Sequence, residues 1–73
     1  MNKKDLCKII GKNIQNQRKL KGYTQETFAE LMSVSWSYVS KLEAGLQNLT
    51  VGKILEISEF LNVDIQNLLN IKN

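Results

Sequence analysis

Apolar residues in this chain recur at intervals of three and four, with polar residues filling the positions between. That is the period of a helix with one buried face. Strict alternation of apolar and polar residues is rare, and no proline interrupts the pattern. The chain therefore reads as all-α, with five helices. A first helix is expected over residues 5–21. Leu6, Ile10 and Ile14 fall at i, i+4 and i+8 and make one stripe, with Cys7 and Ile9 beside it. Gly22 stops this helix, since glycine tolerates the left-handed conformation that closes a helix end. Arg18, Lys19 and Lys21 suit the negative end of its dipole.

Thr24 reads as the N-cap of a second helix, with Phe28, Ala29 and Met32 facing inward and Leu31 at the margin. A tight turn follows at Ser33 and Val34. Ser35 caps a third helix in which Val39 and Leu42 point inward. Trp36, Ser37, Ser40 and Lys41 then lie on or near the other side. Gly45 ends that helix, and a loop over residues 46–49 leads to Thr50. Thr50 caps a fourth helix with an inner stripe of Val51, Ile54, Ile57, Ser58 and Leu61. Asn62 reads as a left-handed terminator. Asp64 caps a short fifth helix over residues 65–69, and the tail from Asn70 is expected to fray. The pair of short helices within residues 24–45 is the segment around which the rest is organised.

Composition narrows the function. A chain of 73 residues is one small domain, hiding only about 60% of the surface its unfolded form exposes. A core of this size rarely yields more than about 3–5 kcal/mol, so a second copy would add stability. Histidine is absent and Cys7 is the one cysteine. That removes the usual zinc-ligand sets and any disulfide within the chain, and fits a reducing cytoplasm. A buried structural thiol is favoured for Cys7 over a redox sensor. No nucleophile–base arrangement is found, so no catalytic site, metal or cofactor is expected. No apolar run approaches the roughly 18 residues of a membrane span. Nor does an apolar segment follow the basic N-terminus, which argues against a signal peptide.

The net charge is only +3, but it is unevenly spread. Residues 1–21 carry seven cations against Asp5, or +6; residues 22–73 carry three against six acids, or −3. A basic end of this kind suits a phosphate backbone, and it equally suits a solvated helix face.

These elements resemble the Cro and phage-repressor type helix-turn-helix proteins, the XRE-like family. The resemblance is carried by Ile10-Gly11, Ile14 before Arg18, Gly22-Tyr23-Thr24-Gln25, Phe28-Ala29, Val34-Ser35, Tyr38-Val39-Ser40, Leu42-Glu43 and Gly45. It continues through Asn48, Ile54, Ile57, Leu61, Val63 and Leu68-Leu69, covering about residues 10–69. It implies a five-helix, lambda-repressor-like domain that binds operator DNA, usually as a dimer. It also implies that Gln25 touches a phosphate and braces the start of the reading helix. Arg18 and Glu43 match a family salt bridge, and Trp36, Ser37 and Lys41 match base-reading positions.

Departures are present as well. Ser33 stands where the family turn has glycine, which demands a strained or altered backbone. Gln17 replaces a usual leucine and Leu49 a frequent proline. Ala44 and the loop over residues 46–49 lack the polar or cationic phosphate ligands of relatives.

The expected DNA-binding set is Gln25, Ser35, Trp36, Ser37, Tyr38, Ser40 and Lys41, with double-stranded DNA as partner. Lys41 can donate to guanine, and Ser37 and Ser40 can donate or accept. Trp36 can cover a thymine methyl, pack on sugar and backbone, or tuck against Phe28 or the first helix. Tyr38 can pack its ring while its hydroxyl meets a phosphate. Leu55, Phe60, Ile65, Leu69 and Ile71 are apolar residues left over once the core is filled, and form the expected homodimer surface. No membrane or small-molecule partner is expected. The leading reading is a repressor binding a palindromic operator. The alternatives are an antitoxin, or a restriction-modification controller acting with a protein partner.

Overall fold

Four of the five helices in the computed structural model end in the same way. Residues 1–71 are described, and over them the chain forms α1 (Lys3–Leu20), α2 (Gln25–Met32), α3 (Trp36–Glu43), α4 (Val51–Leu61) and α5 (Gln66–Leu69). Each of the first four is followed by a residue in the left-handed region: Gly22, Ser33, Gly45 and Asn62. At each end a backbone N–H reaches five residues back, from Tyr23 to Arg18, Val34 to Ala29, Leu46 to Lys41 and Val63 to Ser58. These bonds satisfy carbonyls that the helix leaves orphaned. The starts are equally well capped. Side chains of Asn2, Thr24, Ser35 and Thr50 each accept a first-turn amide. Thr24 and Thr27 cap each other reciprocally. The chain thus folds into the all-α, five-helix form its sequence implies.

Boundaries differ slightly from expectation. α1 begins at Lys3, two residues before the expected start, because Asn2 Oδ1 accepts from Asp5 N at 2.9 Å. It ends at Leu20 with Lys21 as its cap. Asp64 Oδ1 accepts from Gln66 N at 2.9 Å, but α5 starts at Gln66, one residue later than expected, with Ile65 rather than Asp64 in the cap position. The expected fraying from Asn70 does not begin there: Asn13 Nδ2 donates to both Leu68 O and Asn70 O at 2.9 Å. The rest of that tail, Lys72 and Asn73, lies outside the described residues.

The core holds Ile10, Ile14, Phe28, Ala29, Val39, Leu42, Ile54, Ile57, Leu61 and Leu68. Three inner positions differ from expectation: Val51, Leu6 and Met32. Val51 is 72% exposed; it follows the N-cap directly, and the buried stripe of α4 begins only at Ile54, one turn later. On α1 the buried face runs through Cys7, Ile10, Gly11, Ile14 and Arg18, while Leu6 is half-buried. The cause is close contact with α3. A Cβ on Gly11 would lie 2.6 Å from Leu42 O and 2.7 Å from Glu43 O. One on Gly45 would lie 2.6 Å from Lys8 Cα. Glycine at both positions lets α1 cross the C-terminal end of α3 backbone to backbone. Met32 is half-buried and Leu31 exposed.

Ser33 adopts φ 58° and ψ 42° in the turn between α2 and α3. A side chain in this region costs about 1–2 kcal/mol. Ser33→Gly is expected to stabilise the fold by about 0.5–1 kcal/mol after the added flexibility of the unfolded chain is subtracted. Thermal melting checks this. Glycine-to-alanine changes should have opposite signs at two other sites. Gly11→Ala drives a Cβ into carbonyl oxygens and should cost about 1–3 kcal/mol or more. Gly52 is exposed in α4, and a methyl added there would meet only Thr50 Oγ1, at 3.9 Å. Gly52→Ala should therefore raise stability by about 0.5–1 kcal/mol.

Candidate nucleic-acid interface

The last residue of α3 is held in a buried ion pair. Arg18 of α1 is 5% exposed and Glu43 of α3 is 8% exposed. Arg18 Nε donates to Glu43 Oε2 at 2.6 Å and Nη2 donates to Oε1 at 3.1 Å. Two parallel bonds fix direction as well as distance, since guanidinium and carboxylate are both planar. Arg18 Nη1 also donates to Tyr23 O at 2.8 Å, tying in the segment that leads to α2.

Glu43 Oε1 accepts a further bond, from Gln25 Nε2 at 3.0 Å. Gln25 Oε1 in turn accepts from Trp36 Nε1 at 3.0 Å. A continuous chain of hydrogen bonds therefore runs from buried Arg18 to an indole that is 57% exposed. It links α1, both helices of the turn unit and the outer face. Among the described residues no buried side-chain nitrogen or oxygen lacks a partner. Bonding every buried member of the network rigidifies what it holds. Trp36 does not tuck into the core; it bends back over the start of α2.

The remaining expected DNA-facing residues divide by exposure. Ser35, Ser37 and Lys41 are exposed, and Ser40 is half-buried. Ser35 Oγ accepts from Tyr38 N at 3.0 Å, so its acceptor role is partly used in capping. Tyr38 is half-buried and packs against the core. Gln25 is half-buried, and among the described residues one N–H of its amide has no hydrogen-bond partner.

Cations reach both ends of α3 from α1. Lys19 and Gln15 share a shallow groove with Trp36, Gln25 and Thr24. Lys3 and Lys4 line a hollow with Leu46, Gln47 and Asn48, beside the loop that carries no cation of its own. Sequence reasoning did not pick out Gln15, or the placement of Lys19, Lys3 and Lys4 around α3. The crossing of α1 over α3 decides it, and no local pattern encodes that. Asn13, which pins α5 and the tail, was missed for the same reason.

Of the five residues expected at a dimer surface, three line shallow hollows. Leu69 and Ile71 share one with Gln66, Asn67 and Asn70; Phe60 lines another with Glu56 and Glu59. Leu55, Leu69 and Ile71 are exposed, whereas Phe60 and Ile65 are half-buried against the core. Among the described residues there is no group of side chains able to hold a metal ion. No described helix is long and apolar enough to cross a membrane.

A family model described as helix-turn-helix matches residues 14–68, three quarters of the chain. The chain belongs to the helix-turn-helix family. It is similar to the HTH-type transcriptional regulator SinR of Bacillus licheniformis, 38% identical over 66 residues. That match takes in 89% of this chain, which spans 60% of the SinR length. Two solved structures share its fold. A hypothetical transcription factor NHTF from Neisseria is 27% identical with a TM-score of 0.81, over 96% of this chain and 80% of that one. The restriction-modification controller protein C.AhdI from Aeromonas hydrophila is 34% identical with a TM-score of 0.74, over 88% of this chain and 96% of that one.

Breaking the buried pair on one side should be severe. Glu43→Ala leaves the Arg18 charge buried without its carboxylate and is expected to cost about 3–5 kcal/mol. The double change Arg18→Met with Glu43→Leu should recover most of that loss, because it removes the charge as well. Denaturant unfolding of the single and double variants measures both.

Proposed function

We infer that this helix-turn-helix protein is a sequence-specific DNA-binding transcription regulator, a homodimer that represses from a palindromic operator. The observation that carries the reading is the exposed Trp36 at the start of α3, tied through Gln25 to the buried Glu43–Arg18 pair. A side chain held out in solvent by bonds that lead back to a buried ion pair is placed to meet something outside. The N-terminal part of a reading helix fits the major groove, and there its side chains reach base edges. Ser37, Ser40 and Lys41 supply hydrogen bonds to bases in this reading. Gln25, Ser35 and Tyr38 approach phosphate or bases at the margin. Lys19 at one end of α3, and Lys3 and Lys4 at the other, contribute sequence-independent attraction to the backbone.

A single α3 reads too few bases to be selective, which is why a twofold dimer is part of the proposal. Leu55, Phe60, Ile65, Leu69 and Ile71, on or near α4 and α5, are its proposed surface. The protein is read as acting in the cytoplasm, without enzymatic activity, cofactor, membrane or small-molecule substrate. A second reading, a restriction-modification controller, is favoured by the likeness to C.AhdI over nearly that protein's whole length. A restriction enzyme gene beside this protein's gene would distinguish it from other repressors.

Selection of bound duplexes from random DNA, at a stated salt concentration, tests the reading. The expected result is a palindrome with half-site centres about 10 bp apart. Recovery of no preferred sequence would sink it. Lys41→Ala should cost about 1–3 kcal/mol and relax preference at one base position of each half-site; equal weakening on all sequences would make Lys41 a phosphate contact instead. Sedimentation at micromolar concentration should find a dimer, and replacing Leu55 and Leu69 together with lysine should yield monomer.

A further inference from the structure

An indole carries one polar atom, Nε1, which donates and does not accept. In Trp36, the sole tryptophan, that donor is already committed to Gln25 Oε1 at 3.0 Å. The acceptor is not a loose surface group. Gln25 is half-buried and is held by Glu43, itself locked to Arg18. The one hydrogen-bond donor of the indole is therefore taken, at the surface, by the protein's own Gln25. A free tryptophan could turn its N–H to guanine O6, guanine N7 or a phosphate; this one is tethered away from them. What it presents outward is apolar ring surface. In the major groove the base edges display donors and acceptors, and one apolar group stands among them: the C5-methyl of thymine.

We propose that Trp36 is a specificity-determining residue that reads the 5-methyl group of thymine by apolar contact, with Gln25 as the positioning residue that holds the indole. This rests on the DNA-binding reading above and adds to it the chemical group that is recognised.

The test uses the full chain and the duplex selected by it from random DNA. Each thymine of that site is replaced in turn by deoxyuridine, which keeps base pairing and removes only the methyl. At one position in each half-site, the replacement should weaken binding about three- to fivefold, as loss of one buried methyl implies. Trp36→Ala should bind the thymine and deoxyuridine duplexes equally at that position. The emission of Trp36 should shift to the blue on binding the thymine duplex, and shift less with deoxyuridine. Were Trp36→Ala to fail to fold, this emission difference in the unaltered protein would decide.

Absence of any deoxyuridine effect overturns the proposal and leaves DNA binding intact. So does an equal effect in the unaltered protein and Trp36→Ala, or an emission indifferent to the methyl. If no site can be selected at all, the DNA-binding reading fails and this proposal falls with it.

Discussion

The buried pair of Arg18 and Glu43 is the constraint on which the other features of this molecule depend. The two residues are 25 apart in sequence and belong to the first and third helices. Placing a guanidinium and a carboxylate away from water is costly, and the pair adds little net stability over well-packed apolar residues. Its contribution is geometric. Each charge requires its partner at a set distance and in a set plane, so the angle between α1 and α3 has little freedom. The Tyr23 carbonyl and the Gln25 amide attach to the same two side chains. The entry to α2 is thereby fixed along with α3, and the turn unit is carried as one piece.

Packing reinforces that geometry from the other side. Gly11 and Gly45 bring the backbone of α1 against the last turn of α3, with no room for a side chain at either place. Close backbone approach and a directional ion pair act on the same helix crossing. The first sets how near α1 and α3 come, and the second sets how they are turned. Ser33 is the one strained link in the unit. It holds a left-handed turn for which glycine is better suited, and capping bonds at both flanking helices hold it there.

The surface chemistry follows from the same crossing. The uneven charge of the sequence becomes a spatial arrangement only because α1 spans α3. Its late cation, Lys19, arrives beside Trp36, and its early ones, Lys3 and Lys4, arrive beside the loop after α3. A loop without cations is thus flanked by cations from elsewhere in the chain. Trp36 changes character in the same way. As a residue in a sequence it is an aromatic with several uses; bonded to Gln25 it becomes an apolar surface with a fixed orientation.

Helix number, helix order and nearly all caps were legible in the sequence, because local rules govern them. Gly22, Gly45, Asn62, Thr24, Ser35 and Thr50 act through their own backbone or that of near neighbours. Most core positions were legible too, since helical periodicity marks them. Val51 was not, because periodicity cannot say where along a helix the core stops. Cys7 is buried as expected, but Leu6 is only half-buried, because the buried face of α1 is set by its contact with α3. The Arg18–Glu43 pair and the bracing role of Gln25 were implied by the resemblance and are present, whereas the bond from Trp36 to Gln25 and the anchoring of the tail by Asn13 were beyond reach for a related reason. They depend on which side chains meet across helices, and that is set by crossing angles that only close packing and buried hydrogen bonds determine. The sequence by itself determined a five-helix chain with a helix–turn–helix at its centre; the tertiary structure decided how that unit is held and which of its atoms remain available to a partner.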